Sequence, residues 1–312
     1  MGKKVCIFEM IPETFSTTIA HIRIARFLRD VITDSVIVST PETVTQHIKE
    51  KFDVVIFMYA AKSFNGGKPF EYVSRFLDEQ KDAKFFWCIN EYGMNPNSFV
   101  SKIFKEKGFG VLANFDRNTF KINNTSIADY IDDYHLINLN VTAYRFNAIT
   151  RKERKYDLIY YGTFRPDRAK YFAKYLNNAI VSTSIKNIPK YKSVCKPNGF
   201  IGKLDWDDGR SLLRLFEYSL YIEDSFTHAN YNHLADRFYE ALSYDVVTLF
   251  DKSCDNTISR SKYPIELLTV IDEYQPGRYD FDRLRENNEK LREIFLNEWR
   301  EVRDKISAIF NL

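Results

Sequence analysis

In the run Tyr156-Asp-Leu-Ile-Tyr-Tyr-Gly162-Thr163-Phe-Arg165-Pro-Asp-Arg168, an apolar strand leads straight into a Gly-Thr turn followed by two arginines. Such a turn offers backbone N–H groups and two guanidinium forks, a donor set suited to a diphosphate. Further along, Ala235-Asp-Arg237-Phe-Tyr-Glu240-Ala-Leu reads as a helix with Arg237 and Glu240 on one face at i and i+3. An arginine and a carboxylate so placed can hold a phosphate and a ribose diol together. An exposed helical ion pair is the other reading of that spacing.

The elements that must position these residues alternate along the chain. In the first half, strands are expected over 5–8, 35–39, 54–59 and 85–89, and helices over 18–31, 43–51, 71–80 and 100–107. Short apolar runs separated by amphipathic helices mark a parallel sheet covered on both faces. From about 124 to 154 the pattern gives way to Asp/Asn/Tyr-rich text and the charged run Arg151-Lys-Glu-Arg-Lys155, which reads as a junction. A second series then follows, with strands over 158–161, 180–184, 219–223 and 246–250 and helices over 169–176, 210–216 and 234–242. The tail over 281–310 reads as one amphipathic helix. The expected fold is α/β, two Rossmann-like domains (1–150 and 151–312) facing across a cleft, with a long C-terminal helix that packs back on the first domain. In open α/β sheets ligands lie outside the carboxyl ends of the strands, where the Gly162–Arg168 turn falls.

Composition narrows the function. Hydrophobic residues make up 45% and charged residues 28% of 312, ordinary for a globular chain of two domains. Aromatics reach 16%, but they concentrate in strand-like runs such as Phe85-Phe-Trp87, so core packing accounts for most of them. A net charge of +3 is too small for bulk attraction to a polyanion, so any nucleic-acid contact must come from a local patch. Cys6, Cys88, Cys195 and Cys254 form no C-x-x-C pair, which argues against a zinc or redox motif and for a reducing compartment. No apolar run suits a signal peptide or membrane span, so a cytoplasmic protein without membrane contact is expected.

Four segments resemble the DNA β-glucosyltransferase family of T-even bacteriophages. These are Ser63-Phe64-Asn65-Gly66-Gly67-Lys68-Pro69, Lys84-Phe-Phe-Trp-Cys-Ile-Asn-Glu91, and Tyr156–Arg168 with the later Gly202-Lys203-Leu204. The last is Asn230-Tyr231-Asn232 with Arg237-Phe-Tyr-Glu240-Ala-Leu-Ser-Tyr-Asp245. Each motif is weakly specific alone, and their order and spacing carry the likeness. The resemblance implies a GT-B fold and an inverting transfer of a sugar from a UDP-sugar to 5-hydroxymethylcytosine in duplex DNA. It implies that Gly162, Thr163, Arg165, Arg168, Tyr231 and Arg237 hold the diphosphate, Glu240 the ribose hydroxyls, and the backbone at Leu204 the uracil.

Glu91 stands where the family has its catalytic aspartate, and a hydroxymethyl group needs such a base as it attacks the anomeric carbon. Glu91 is longer than that aspartate by one methylene, and Gly93 replaces a family arginine two residues on. Both departures bear on the sugar, so the donor stays open between UDP-glucose and another such as UDP-arabinose. His21 lies near the position of a family glutamate that contacts the sugar; a lone histidine on a helix is more often an ordinary surface or core residue.

A base within a duplex must be turned out of the stack to be reached. Ser63, Phe64, Asn65, Gly66, Gly67 and Lys68 are then the expected acceptor loop. Lys62, Lys68, Lys102, Lys105 and Lys107 could grip phosphates, or could simply be solvated. Asp205-Trp-Asp207 and Asp280-Phe-Asp282 fit an Asp-x-Asp metal element formally, yet helix capping explains such aspartates as well. With arginines serving the diphosphate, no obligatory protein-bound metal is expected, although a divalent ion could assist product release as in the family. A monomer is expected. The alternatives are a GT-B enzyme acting on a saccharide in surface-polysaccharide synthesis and a non-catalytic nucleotide-sugar or DNA-binding module.

Overall fold

The computed structural model describes residues 3–9, 20–39, 41–58, 71–89, 105–118, 127–145, 153–162, 164–204, 211–230 and 233–311. These form two compact units, Met1–Ala143 with Glu298–Leu312, and Tyr144–Asn297.

The first unit is built on a six-stranded sheet in the order β2-β1-β3-β4-β5-β6, every pairing parallel. Its strands are β1 (Val5–Phe8), β2 (Ser35–Val38), β3 (Val54–Phe57), β4 (Lys84–Ile89), β5 (Phe109–Ala113) and β6 (Ile131–Leu136). Helices α1 (Ala20–Val31), α2 (Pro41–His47) and α3 (Glu71–Glu79) connect the early strands. β1, β3 and β5 are buried along their whole length, as parallel strands covered on both faces must be. Phe8, Phe57, Phe76, Phe85, Trp87 and Phe109 fill the core. Phe57 lies edge-on to Phe85 at 5.5 Å, so the high aromatic content here is spent on packing.

The second unit repeats the plan with the order β12-β11-β10-β7-β8-β9, again all parallel. Its strands are β7 (Tyr156–Tyr161), β8 (Ala179–Ser182), β9 (Gly199–Ile201), β10 (Phe216–Tyr221), β11 (Val247–Asp251) and β12 (Thr269–Ile271). Between them run α4 (Ala169–Tyr175), α5 (Ile188–Lys192), α6 (Ser225–Asn230), α7 (Asp236–Ser243) and α8 (Asp255–Arg260). From β9 inward the chain order is third, second, first, then fourth to sixth, the doubly wound order that places a switch point between β7 and β10.

Helix α9 (Phe281–Phe310) closes the chain. Phe281, Leu284, Asn288, Leu291, Phe295, Glu298, Val302, Ile306 and Phe310 are all buried, a continuous stripe at spacings of three and four. Its residues to Asn297 belong to the second unit and those from Glu298 to the first.

Three sequence expectations are corrected. Over 211–216, the described part of the helix expected at 210–216, no α-helix forms: Leu212–Leu215 makes a single 3-10 turn, capped by Ser211 through its hydroxyl, and β10 begins at Phe216. The text read as a junction holds the edge strand β6 and a buried 3-10 turn over Leu139–Ala143. β5, β9 and β12 join the sheets without having been expected. Of the helix expected over 100–107, only the end lies within the described residues.

Candidate functional site

The residues expected to hold a diphosphate gather in the second unit at the switch point. β7 ends at Tyr161 and the chain turns at Gly162, whose φ of +149° is a conformation that side-chain-bearing residues rarely adopt. A Cβ at Gly162 would stand 3.8 Å from Nη2 of Arg237 and 4.0 Å from Nη1 of Arg168, so both guanidiniums face this turn. The Gly162 carbonyl is fixed from behind, accepting hydrogen bonds from Thr183 Oγ1 and Tyr191 Oη, each at 3.2 Å.

Arg237 lies in the first full turn of α7, after Asp236, whose charge suits a helix N-terminus. Its Nη1 donates to the carbonyl of Ile222 just beyond β10, at 2.6 Å. Its guanidinium lies over the rings of Tyr160 and Tyr221 at 5.8 and 5.5 Å. Burial opposes the Arg237 charge, but the oxygens of Tyr160, Tyr221 and Tyr161 and the Glu223 carboxylate outweigh it, and proton affinity rises above the ordinary value. The site therefore keeps a permanent positive charge.

Arg168 is 7% exposed, an unusual depth for an arginine, and Nη2 meets Asp224 Oδ2 at 2.8 Å. Asp224 also draws Nε of Arg165 to 3.7 Å, while the Arg165 side chain stays 58% exposed. Nε of Arg168 is buried and finds no acceptor among the described residues, which leaves a donor unsatisfied beside Gly162.

Glu240 follows Arg237 by one helical turn. Its Oε1 accepts from Tyr144 Oη at 3.2 Å, and Tyr161, which donates to the Arg237 carbonyl at 2.8 Å, lies against it. Burial pushes the Tyr161 phenol well above its ordinary value, and the Glu240 carboxylate adds to that. Both Arg237 and Glu240 are half-buried, so the exposed ion pair is not what forms. Leu204 is buried in a cluster with Tyr161 and Ala241, on the same side of the sheet as Glu240's helix.

Of the expected site residues, the structure thus brings together Gly162, Arg165, Arg168 and Arg237, with Glu240 and Leu204 linked to them through Tyr161. Thr163, Tyr231, Glu91 and the loop Ser63, Phe64, Asn65, Gly66, Gly67 and Lys68 lie outside the described residues, as do Lys62 and Lys102 and the side chain of His21. Lys105 and Lys107 are described, and the Lys107 ammonium donates to the Lys81 carbonyl. Among the described residues no three His, Cys, Asp or Glu side chains cluster as metal ligands. Asp280 Oδ1 instead accepts from the Arg283 amide at 3.2 Å, capping α9.

Sequence reasoning missed two carboxylates. Asp224 is the counter-charge that orients Arg168 and Arg165. Glu223, buried beside it, accepts hydrogen bonds from Tyr221 and, at 2.6 Å, from Thr257. Burial raises its proton affinity, while Thr257, Tyr221 and Arg237 act the other way. The Glu223-Asp224 pair directly after an apolar strand was the available signal.

Two doubly wound parallel sheets and a long terminal helix define the GT-B fold of glycosyltransferases. Solved structures of that class match almost the whole chain. T4 phage BGT in complex with UDP and Mn2+ is 15% identical, with a TM-score of 0.63 over 98% of each chain. A mutant of T4 phage BGT with UDP-glucose is also 15% identical, with a TM-score of 0.60 over 98% of this chain and 95% of that one. An alpha-glucosyltransferase with UDP and a 13-mer DNA containing an HMU base is 11% identical, with a TM-score of 0.54 over 99% and 95%. At these identities the likeness is one of fold. No family model and no curated protein matches the sequence.

Proposed function

We propose that the chain is an inverting glycosyltransferase that moves a sugar from a UDP-sugar to the hydroxymethyl group of 5-hydroxymethylcytosine in duplex DNA. The observation that carries the donor half is the meeting of Gly162, Arg168 and Arg237 at the β7/β10 switch point, where doubly wound sheets bind nucleotides. The guanidiniums take the diphosphate and Glu240 the ribose diol. As the bond from the sugar to the diphosphate breaks, negative charge grows on the departing UDP. Arg237 and Arg168 are already aimed there, held by the Ile222 carbonyl and Asp224, so little reorganisation is needed.

The acceptor half rests on the sequence resemblance and on the fold shared with enzymes solved with UDP and with modified DNA. Glu91 takes the proton of the hydroxymethyl group as its oxygen attacks the anomeric carbon, and a single displacement inverts that carbon. Thr163 and Tyr231 add diphosphate contacts, the 63–68 segment takes the flipped nucleotide, and His21 is the candidate sugar contact. A divalent ion could assist release of UDP, and the arginines that serve the diphosphate make a dedicated protein cage for it unnecessary.

Incubation with labelled UDP-sugars and either hydroxymethylated or ordinary duplex DNA tests this reading. Label should appear on the hydroxymethylated duplex alone. Turnover with oligosaccharides and none with DNA would transfer the enzyme to saccharide synthesis. Glu91→Gln should keep UDP affinity and lower turnover by about 10²-fold or more; unchanged turnover would remove Glu91 from the chemistry.

A further inference from the structure

Between Arg168 and Leu204 the sequence contains eight Lys or Arg residues and no Asp or Glu, in a chain whose net charge is only +3. The rest of the molecule is therefore net acidic, and the net positive charge of the chain comes from this one segment. Arg168 is buried against Asp224, but Lys170, Lys174, Lys186, Lys190, Lys192, Lys196 and Lys203 are all exposed.

Three of these lysines line one open cavity of about 380 Å³, formed by Phe164, Ser184, Lys186, Asn187, Lys190 and Lys203. Its walls follow the carboxyl ends of three adjacent strands. Phe164 comes after β7, Ser184 to Lys190 after β8, and Lys203 after β9. It therefore flanks the donor site on the same edge of the sheet, using residues that site does not employ. Lys186 and Lys190 are four apart across a 3-10 turn and the start of α5, which sets both ammonium groups on one side. Neither they nor Lys203 pair with a carboxylate among the described residues. Like charges gathered without counter-charge raise the local potential and favour an anion.

The geometry points to a subsite that grips the phosphodiester backbone of the acceptor nucleic acid, and the inference rests on the DNA reading of the acceptor. A polymer suits the cavity better than a free anion does. The space is open and larger than one phosphate, and Ile185, between the lining residues Ser184 and Lys186, is 85% exposed and can lie against a sugar face. The donor site takes one end of the reaction and this subsite holds the strand that brings the other.

Each lysine on a phosphate releases counterions, so binding should weaken with salt in proportion to the contacts made. The test measures anisotropy of a labelled hydroxymethylated duplex across a salt series, for the wild type and for the triple variant Lys186→Ala, Lys190→Ala, Lys203→Ala. The variant should bind about tenfold or more weakly near 0.1 M salt, and the slope of log K against log salt should fall by about 2–3. Its UDP affinity by calorimetry should be unchanged, which also verifies folding. A wild type that binds duplex and a variant with equal affinity and slope would overturn the subsite alone. A wild type that binds no duplex would overturn the acceptor reading and the subsite with it. Loss of inorganic phosphate or UDP binding with duplex binding intact would assign the cavity to a free anion or to the donor, and would also overturn the proposal.

Discussion

Gly162 is the point on which the proposed donor site turns, because its backbone conformation lets two guanidiniums approach the end of β7 together. The space beside it would admit a methyl group, so the restriction is conformational rather than steric. Gly162→Ala should cost about 1–3 kcal/mol, seen as a lower urea midpoint at unchanged slope. A wild-type midpoint would show that the turn can relax. The arginines around it are set by partners that sequence spacing does not reveal. Arg168 looks like a surface residue in a Pro-Asp-Arg turn and is instead buried against Asp224, fifty-six positions away.

The α7–β11 connection shows how an element is held in place by groups distant in sequence. Asp245 follows α7 with φ of 56°, the left-handed region, and is buried while its carboxylate pairs with Arg285 and accepts from Asn288 of α9 at 3.4 Å. Arg154 adds donors to the carbonyls of Tyr244 and Asp245, at 2.8 and 2.9 Å, and to those of Arg214 and Phe216. Burial lowers the Arg154 pKa to about 10, so it stays charged at neutral pH while bridging the entry to β10 and the end of α7. Asp245→Ala should destabilise the chain by about 2–4 kcal/mol, since it strands Arg285 and leaves a Cβ in the left-handed region. Asp245→Gly should recover about 1 kcal/mol of that loss by relieving the backbone. Equal denaturation midpoints for the two variants would argue that φ carries no cost there.

Across the molecule, the four cysteines are buried thiols outside any disulfide. Burial raises the thiol pKa of each, that of Cys195 to about 11, and those of Cys6, Cys88 and Cys254 further. Reactivity follows the thiolate, so a thiol reagent at pH 8 should label none of them in the native protein and all four after denaturation. Rapid native labelling would mean that one lies in a segment that opens readily. The same view of the whole chain explains why net charge misleads: +3 is the near-cancellation of an acidic majority and one acid-free basic segment.

Buried parallel strands such as β1, β3 and β11 are plain in the sequence because burial on both faces demands an unbroken apolar run. The edge strands β6, β9 and β12 are not, since a short, half-exposed edge needs no such run, and Ile131-Asp-Asp-Tyr-His-Leu136 reads as polar linker. β5 was hidden by Gly110, which looks like a breaker but is demanded by the Phe86 ring, 2.3 Å from where a Cβ would stand. The Gly162–Arg168 turn and the pairing of Arg237 with Glu240 on one helix were legible as a candidate site because residue types and local spacing single them out. Their convergence was decided only by the third dimension: strand order sets β7 beside β10, and pairing across the sheet brings Asp224, Ile222 and Tyr161 to residues that local periodicity cannot connect.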